Sequence, residues 1–407
     1  MTERKKIFIW TLFDFGNTSF SIVVVTFLYA VYFKKVVAGG EAIGDFYWSL
    51  GTSIAMIVTA IISPLLGAIA DYSAGKKRFL LFFTLLCVVA TSGLYFVGPG
   101  NVFWGLVIFI IANIGFEAGL VFYDSFLPEI TSPKNFGRVS GYGFGMGYVG
   151  SLVTLGIVYP FIQMEMIKET FPIAALFFLI FSLPIFIFLK DNRKPKASFL
   201  TSLRIGFNRV QSTITHLPKY KNLALFLLAY FFYIEGVNTV IFFSGNYAST
   251  TLGFSDTELL LFFITVQTTA IVGSILLGIL ADSIGQKRTI IITLIMWLIT
   301  IVLAYLVEEK NTFYIVGLIA GAAMGASQST SRSLMSHLTP IDKKTEFFGF
   351  YSFFGKSSAI IGPLVFGLIS YYSGNQRLAI ISIAFFFLVG MIILSFVKEN
   401  ESIVSET

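Results

Sequence analysis

The stretch GAIADYSAGKKR (Gly67–Arg78) closes one long apolar run, and GILADSIGQKR (Gly278–Arg288) closes another. Gly67, Asp71, Gly75, Lys76, Lys77 and Arg78 in the first answer to Gly278, Asp282, Gly285, Gln286, Lys287 and Arg288 in the second, about 211 positions later. A repeat this long, each copy most of a membrane domain, is the signature of a chain built from two similar halves related across the bilayer. That architecture is suited to alternating access.

Working outward, the 407 residues are 56% hydrophobic and 12% charged, and the mean hydropathy is +0.83. Apolar surface on this scale cannot be hidden in soluble domains of about 150 residues each. Apolar runs of roughly 20 residues recur instead, each the length of a membrane helix. Twelve spans are expected: 7–33, 46–70, 79–97, 102–127, 140–162, 171–189, 222–247, 258–281, 289–307, 312–334, 346–372 and 377–397. The fold class is therefore an all-α polytopic membrane protein, with six-helix bundles at 1–189 and 222–407 joined by a cytoplasmic linker at 190–221. The first span follows Arg4, Lys5 and Lys6, exceeds a signal-peptide core and lacks a small-residue cleavage site, so it reads as a retained helix.

Orientation follows from the basic residues. With a cytoplasmic amino terminus, about 22 of the 28 Lys and Arg fall in cytoplasmic segments, the bias that the positive-inside rule requires. Both termini are then cytoplasmic and the chain is a multi-pass protein of the plasma membrane. The same distribution accounts for a pI near 9.1 without nucleic acid, because the charge is spread over membrane-flanking loops. Cys87 is the only cysteine, which excludes an intramolecular disulfide. His216 and His337, both near cytoplasmic ends, make no metal-ligand cluster, and no cofactor is expected.

Within the linker, Phe199, Leu203, Phe207, Val210 and Ile214 recur at helical spacing with Arg204 and Arg209 off the stripe. This is the pattern of an interfacial helix on the anionic inner leaflet, with membrane lipids as partners; a flexible linker is the alternative. The halves also match elsewhere. FDFGNTSF (Phe13–Phe20) and YFFYIEGVNTV (Tyr230–Val240) each place Asn-Thr three residues after an acid, so that Asp14 aligns with Glu235 and Asn17 with Asn238. At i and i+3 the acid and the amide share a helix face, suited to a cation, a proton or an ammonium group. FYDSFLPEI (Phe122–Ile130) aligns with STSRSLMSHLTP (Ser329–Pro340), which puts Asp124 opposite Arg332. In GRVSGYGFGMGYVGS (Gly137–Ser151) glycines four apart permit close helix approach or act as hinges.

Taken together, two six-helix halves, a long central loop and the doubled Gly-x-x-x-Asp motif resemble the major facilitator superfamily over essentially the whole chain. FDFGNTSF, FYDSFLPEI, YFFYIEGVNTV and the SRSL segment resemble more narrowly its vacuole effluxer-like branch, whose fungal members export amino acids from vacuoles and whose bacterial members have no agreed substrate. The resemblance implies that Asp71 caps a neighbouring helix end and joins Lys76, Lys77 and Arg78 in a cytoplasmic latch, with Asp282, Lys287 and Arg288 as the second latch. The first copy departs by one extra residue before Gly75, which opens the pairing of Lys76 and Lys77 to question. Positive-inside anchors on a capped turn are the plainer alternative.

An ionisable residue in the hydrocarbon layer costs about 2.5–3.5 kcal/mol or more and should face a cavity or a partner. Asp14, Glu117, Glu235 and Lys356 lie well within expected spans, with Asp124 and Arg332 nearer the ends; Asn113, Glu117 and Asp124 form one stripe. Four acids against two bases leave a deficit that protonation, a bound cation or a cationic part of the substrate would meet. Asp14, Asn17, Glu117, Glu235, Asn238 and Lys356 are accordingly the candidate substrate or proton-binding residues. Asp124 and Arg332 are a candidate gate, or else separately tied to a helix end and a lipid phosphate.

The reading is a monomeric secondary transporter for a small polar solute, plausibly an amino acid, coupled to protons or another ion. An enzyme is disfavoured because no nucleophile has a base within the membrane, and ATP-driven transport because GxxxxGK[ST] is absent. A non-transporting receptor or lipid-handling protein on the same fold has no need for buried charges in both halves.

Overall fold

The computed structural model describes residues 1–73, 75–191, 199–358 and 361–399. Ala74 of the first motif, linker residues 192–198, Ala359 and Ile360 of the eleventh expected span, and 400–407 lie outside the described residues, as do the side chains of Phe199, Leu203 and Pro363.

Among the described residues every regular element is helical. Helix α1, Glu3–Phe20, continues through wide turns at Ser21–Thr26, a short helix Leu28–Tyr32 and further wide turns Phe33–Val37. The β-branched run from Ile22 to Thr26 crowds successive turns where the helix widens. There follow α2 (Glu41–Ser73), α3 (Lys76–Gly93), α4 (Val102–Asp124), α5 (Phe136–Gln163) and α6 (Thr170–Phe188). The linker contributes α7 (Phe199–Thr215), and the second half α8 (Lys221–Thr250), α9 (Asp256–Ile284), α10 (Gln286–Leu306), α11 (Lys310–Leu338), α12 (Lys344–Ser358), α13 (Ile361–Ser373) and α14 (Gln376–Ser395).

Ten spans among the described residues are long and apolar enough to cross a membrane, against the twelve expected. The two others have particular causes. Helix α11 covers 312–334, but its Ser-Gln-Ser-Thr-Ser-Arg-Ser turns (Ser327–Ser333) are too polar for that count, and 346–372 includes residues 359–360, which lie outside the described residues, so that only its described parts, α12 and α13, are counted. Helices α2, α5 and α8 overrun their expected spans at both ends, because the backbone stays helical past the apolar stretch.

The second motif shows how its turn is made. Gly285 takes φ +99°, a conformation that a Cβ disfavours, and its N–H donates to Ala281 O to end α9. In the first copy, one residue longer, Gly75 sits at φ −108°. At the other end of α9, Ser255 and Glu258 form a capping box, Glu258 N donating to Ser255 Oγ at 3.3 Å and Ser255 N to Glu258 Oε2 at 2.7 Å.

The chain divides into two compact units. Unit 1 holds Met1–Phe126, Met146–Gln211 and Lys343–Gly349; unit 2 holds Leu127–Gly145, Ser212–Asp342 and the chain from Phe350. In unit 1 α2 packs on α4, α4 on α3, α3 on α6 and α6 on α1; in unit 2 α9 packs on α11, α11 on α10, α10 on α14 and α14 on α8. The order of partners is the same in both, so the repeat extends to packing. Helix α5 starts in unit 2 and finishes in unit 1, and the first turn of α12 belongs to unit 1.

The glycines of α5 serve close approach along a continuous helix. In unit 2 a Cβ on Gly137 or Gly141 would run into the carbonyls of Gly278 and Ser274, and in unit 1 one on Gly150 would run into Phe15 O. Gly67 and Gly349 likewise back directly onto Thr345 O and Ser63 O within unit 1. Small residues let helix backbones meet in this way where burial of apolar surface gives no advantage over lipid. Large apolar side chains such as Phe82, Val89, Ile187, Leu276 and Phe385 are exposed, while Thr59, Ser63, Asn113, Ser274 and Thr293 are buried. That inversion of a soluble protein's pattern suits a lipid solvent.

Candidate functional site

In unit 1, α1 supplies Asp14 and Asn17, both buried, with Asn17 Nδ2 donating to Asp14 Oδ1 at 3.3 Å. Ring contacts of Trp10 with Tyr123 (4.7 Å) and Phe20 with Phe116 (5.0 Å) set α1 antiparallel to α4. This register brings the Asp14–Asn17 turn level with the turn beginning at Glu117, which is itself buried. One turn away, Asn113 is fully buried, and neither atom of its amide finds a protein partner among the described residues. An unpaired buried amide costs roughly 1–3 kcal/mol. Such a group is a candidate for meeting a ligand.

In unit 2 the equivalent acid, Glu235, is fully buried on α8. Its Oε1 accepts from Thr239 Oγ1 at 3.4 Å and from Gly362 N in the first turn of α13. Its Oε2 is buried with no partner among the described residues. Gly362 must lack a side chain, because a Cβ there would overlap Thr239 Oγ1 and Glu235 Oε1. Asn238, the counterpart of Asn17, is half-buried, as is Lys356 on α12. Tyr233 Oη and Ser331 Oγ, 2.7 Å apart, join α8 to α11. Sequence reasoning passed over Asn113 as a site residue, and over Thr239 and Gly362, whose roles depend on neighbours far along the chain. An apolar cavity in unit 2, among Phe243, Tyr247, Phe262, Trp297, Phe313 and Met324, offers a polar solute little to bind.

The candidate gating residues fall into three arrangements. First, the motif acids bind helix starts. In unit 1 Glu346 N, in the first turn of α12, donates to Asp71 Oδ2 at 2.9 Å. In unit 2 Gly137 N and Arg138 N, at the start of α5, donate to Asp282 Oδ1 and Oδ2 at 2.7 and 3.1 Å, and Arg138 Nε adds an ion pair at 2.7 Å. Amides at a helix start lack intrahelical acceptors, so a carboxylate is well placed there.

Second, the motif lysines bind helix ends. Lys77 Nζ donates to Leu189 O beyond α6 at 2.6 Å, and Lys77 N to Asp191 Oδ2 at 3.3 Å. Lys287 Nζ donates to Ser395 O in the last turn of α14 and to Val397 O just beyond it at 2.6 and 2.7 Å, while Gln286 N and Lys287 N donate to Glu399 at 2.5 and 3.3 Å. Asp282 and Lys287 therefore take different partners: the cation at Asp282 is Arg138, and Lys287 binds carbonyls at the end of a helix. Arg288 and Arg78 are exposed. Lys76 is fully buried, its Nζ donating to Ser125 O at 3.2 Å and lying 4.1 Å above the Phe126 ring. One signal in the sequence marked these contacts: Lys-Asp at 190–191 and Lys-Glu at 398–399 recur 208 positions apart, close to the 211 between the two motifs.

Third, Arg332 is buried in unit 2, its Nε and Nη2 donating to Ser140 Oγ and Ser140 O at 2.9 Å each, with the guanidinium 4.2 Å over the Phe144 ring. Ser140 Oγ in turn donates to Ser329 O at 2.7 Å. Asp124, half-buried at the end of α4, belongs to unit 1. Among the described residues no group of three or more His, Cys, Asp or Glu is placed to hold a metal.

Known proteins can be set beside this geometry. Residues 46–406 match the family model described as "Vacuole effluxer Atg22 like". The chain is 33% identical to the uncharacterized MFS-type transporter YxiO of Bacillus subtilis, over 97% of this chain and 95% of that one. It is 25% identical to autophagy-related protein 22 of Kluyveromyces lactis, over 78% and 72% of the two chains. Among solved structures it is similar to the human organic anion transporter MFSD10, with a TM-score of 0.79 at 15% identity, covering 97% of this chain and 100% of that one. The proton:xylose symporter XylE gives 0.77 at 15% identity over 98% of each. At these identities the structures speak for the fold, which is that of the major facilitators. The chain belongs to the vacuole effluxer Atg22-like family and is a multi-pass membrane transporter of the major facilitator type.

Proposed function

We propose that the protein is a secondary transporter of a small polar solute carrying both a cationic and an anionic group, an amino acid or a similar zwitterion, moved by alternating access and coupled to protons. The observation that carries this reading is the pair of buried acids at equivalent places in the repeat, Asp14 beside Asn17 and Glu235 beside Thr239 and Gly362. Buried polar atoms at Glu235 Oε2 and Asn113, without partners among the described residues, are available to a ligand. At least one of Asp14, Glu117 and Glu235 then carries the coupling proton, and Asp14 or Glu235 receives an ammonium group. Lys356 and Arg332 are the candidates for a carboxylate.

In the same reading Asp71 and Asp282 are gate residues, because each caps a helix start that a large rearrangement would uncover. Asp124 and Arg332 pair in one state of the cycle; charge reversal of both is then expected to rescue a defect caused by either alone. The six-helix halves at 1–189 and 222–407, cytoplasmic termini, a plasma-membrane location and a monomeric state complete the proposal.

The test is a thermal-shift screen of purified protein against amino acids, peptides, sugars and organic acids at two pH values, followed by proteoliposome uptake of any hit. A ligand at 100 times its Kd stabilises the folded state by about 2.7 kcal/mol, a readily measured rise in Tm. A pH-dependent hit among amino acids supports the zwitterion site, and hits confined to sugars or organic acids reject it.

A further inference from the structure

We infer that the outward face of α7 docks on anionic phospholipid, and that lipid bound there steadies the Asp71 cap on α12 through Arg209. Helix α7 presents two faces. On one, Gly206 lies so close to α2 that an added Cβ would stand 2.6 Å from Ile69 Cγ1, two residues before Asp71. On the same side Arg209 Nε lies 3.3 Å from Glu346 Oε2, a carboxylate with no solvent exposure. The backbone N–H of that same Glu346 donates to Asp71 Oδ2 at 2.9 Å. All of these residues belong to unit 1. Arg209 thereby joins the linker helix to the capped turn.

On the other face Phe207 and Ile214, seven residues apart, are 64% and 57% exposed. Arg204, one turn before Phe207, is exposed with them. An apolar pair of this kind is costly in water and at home at the boundary of headgroups and acyl chains. Six residues after α7 the chain enters the membrane span of α8, so the helix is tethered at the bilayer surface. From Lys190 to Lys221 the sequence carries eight Lys and Arg against the single acid Asp191, which fits a negatively charged leaflet better than a zwitterionic one.

Lipid binding and latch stability are linked because Arg209 holds Glu346 only while α7 stays seated. Phosphatidylglycerol that pins Phe207 and Arg204 at the interface favours the seated helix, and with it the turn that Asp71 caps. Ligands that bind one state shift the population toward it by their differential affinity.

The full-length protein is reconstituted in phosphatidylcholine vesicles with and without phosphatidylglycerol, and amide exchange is followed in peptides covering 344–349. Phosphatidylglycerol is expected to slow exchange there several-fold, Arg209→Gln to remove the lipid effect, and Arg209→Lys to keep a weakened one. In parallel, a Phe207→Trp variant should be quenched by brominated lipid and shielded from iodide. Identical exchange in both vesicle types, persistence of the lipid effect in Arg209→Gln, or free access of iodide to the introduced tryptophan would each overturn the proposal; the last would assign the face to solvent or a soluble partner. Exchange is read without any solute, so this outcome is independent of the transport reading.

Discussion

Glu235 concentrates the transport proposal in one side chain. Its Oε1 is engaged by Thr239 and Gly362 and its Oε2 is not engaged among the described residues, so Glu235→Gln keeps an acceptor at Oε1 and removes only the ionisable group. The expected outcome is a folded protein with Tm within a few degrees of wild type and proton-driven uptake reduced roughly tenfold or more, the scale of losing a charged contact worth about 1.5–3 kcal/mol. Gly362→Ala should instead fail structurally, destabilising by about 1–3 kcal/mol through overpacking, as read in a detergent melt. Asn113 predicts the opposite trade. Leucine is of similar size and lacks the unpaired amide, so Asn113→Leu should raise Tm while lowering solute binding; a lower Tm with unchanged binding would remove Asn113 from the site.

At the scale of elements, the doubled contacts of the motif lysines make a paired prediction. Lys77→Met and Lys287→Met should each release the carbonyls at the end of one helix, α6 and α14 respectively, and speed amide exchange in the residues that follow, near 189–191 and 395–399. Lys77→Met removes one such side-chain bond and Lys287→Met two, each bond to a charged donor being worth about 1.5–3 kcal/mol. Exchange that spreads instead through α2 or α9 would show that these lysines brace the motif acids. Much of this level was legible in the sequence: apolar length gave the helices, and the repeat of glycine and aspartate located both motif turns. The partners were not legible, because Asp282 meets Arg138 and Glu346 meets Arg209 across well over a hundred residues, and no local periodicity encodes such a pairing. Helix α11 departs from the apolar pattern for a physical reason as well, since its polar turns from Ser327 to Ser333 are buried against protein and not exposed to lipid.

For the whole molecule, the proposed twelve spans would place both termini on the cytoplasmic side. In a Cys87→Ala background, cysteine introduced at Thr2 should react with an impermeant maleimide only after the membrane is opened, and labelling of intact cells would reverse the orientation. The two acids at equivalent positions are the centre of the account, and proteoliposome exchange tests it most directly. Vesicles holding wild-type or Glu235→Gln protein are given a mixture of amino acids with and without an inward proton gradient, and their contents are read by mass spectrometry. At least one zwitterion is expected to accumulate in wild-type vesicles under the gradient and not in Glu235→Gln vesicles. Accumulation alike in both, or no solute above protein-free vesicles, would contradict it.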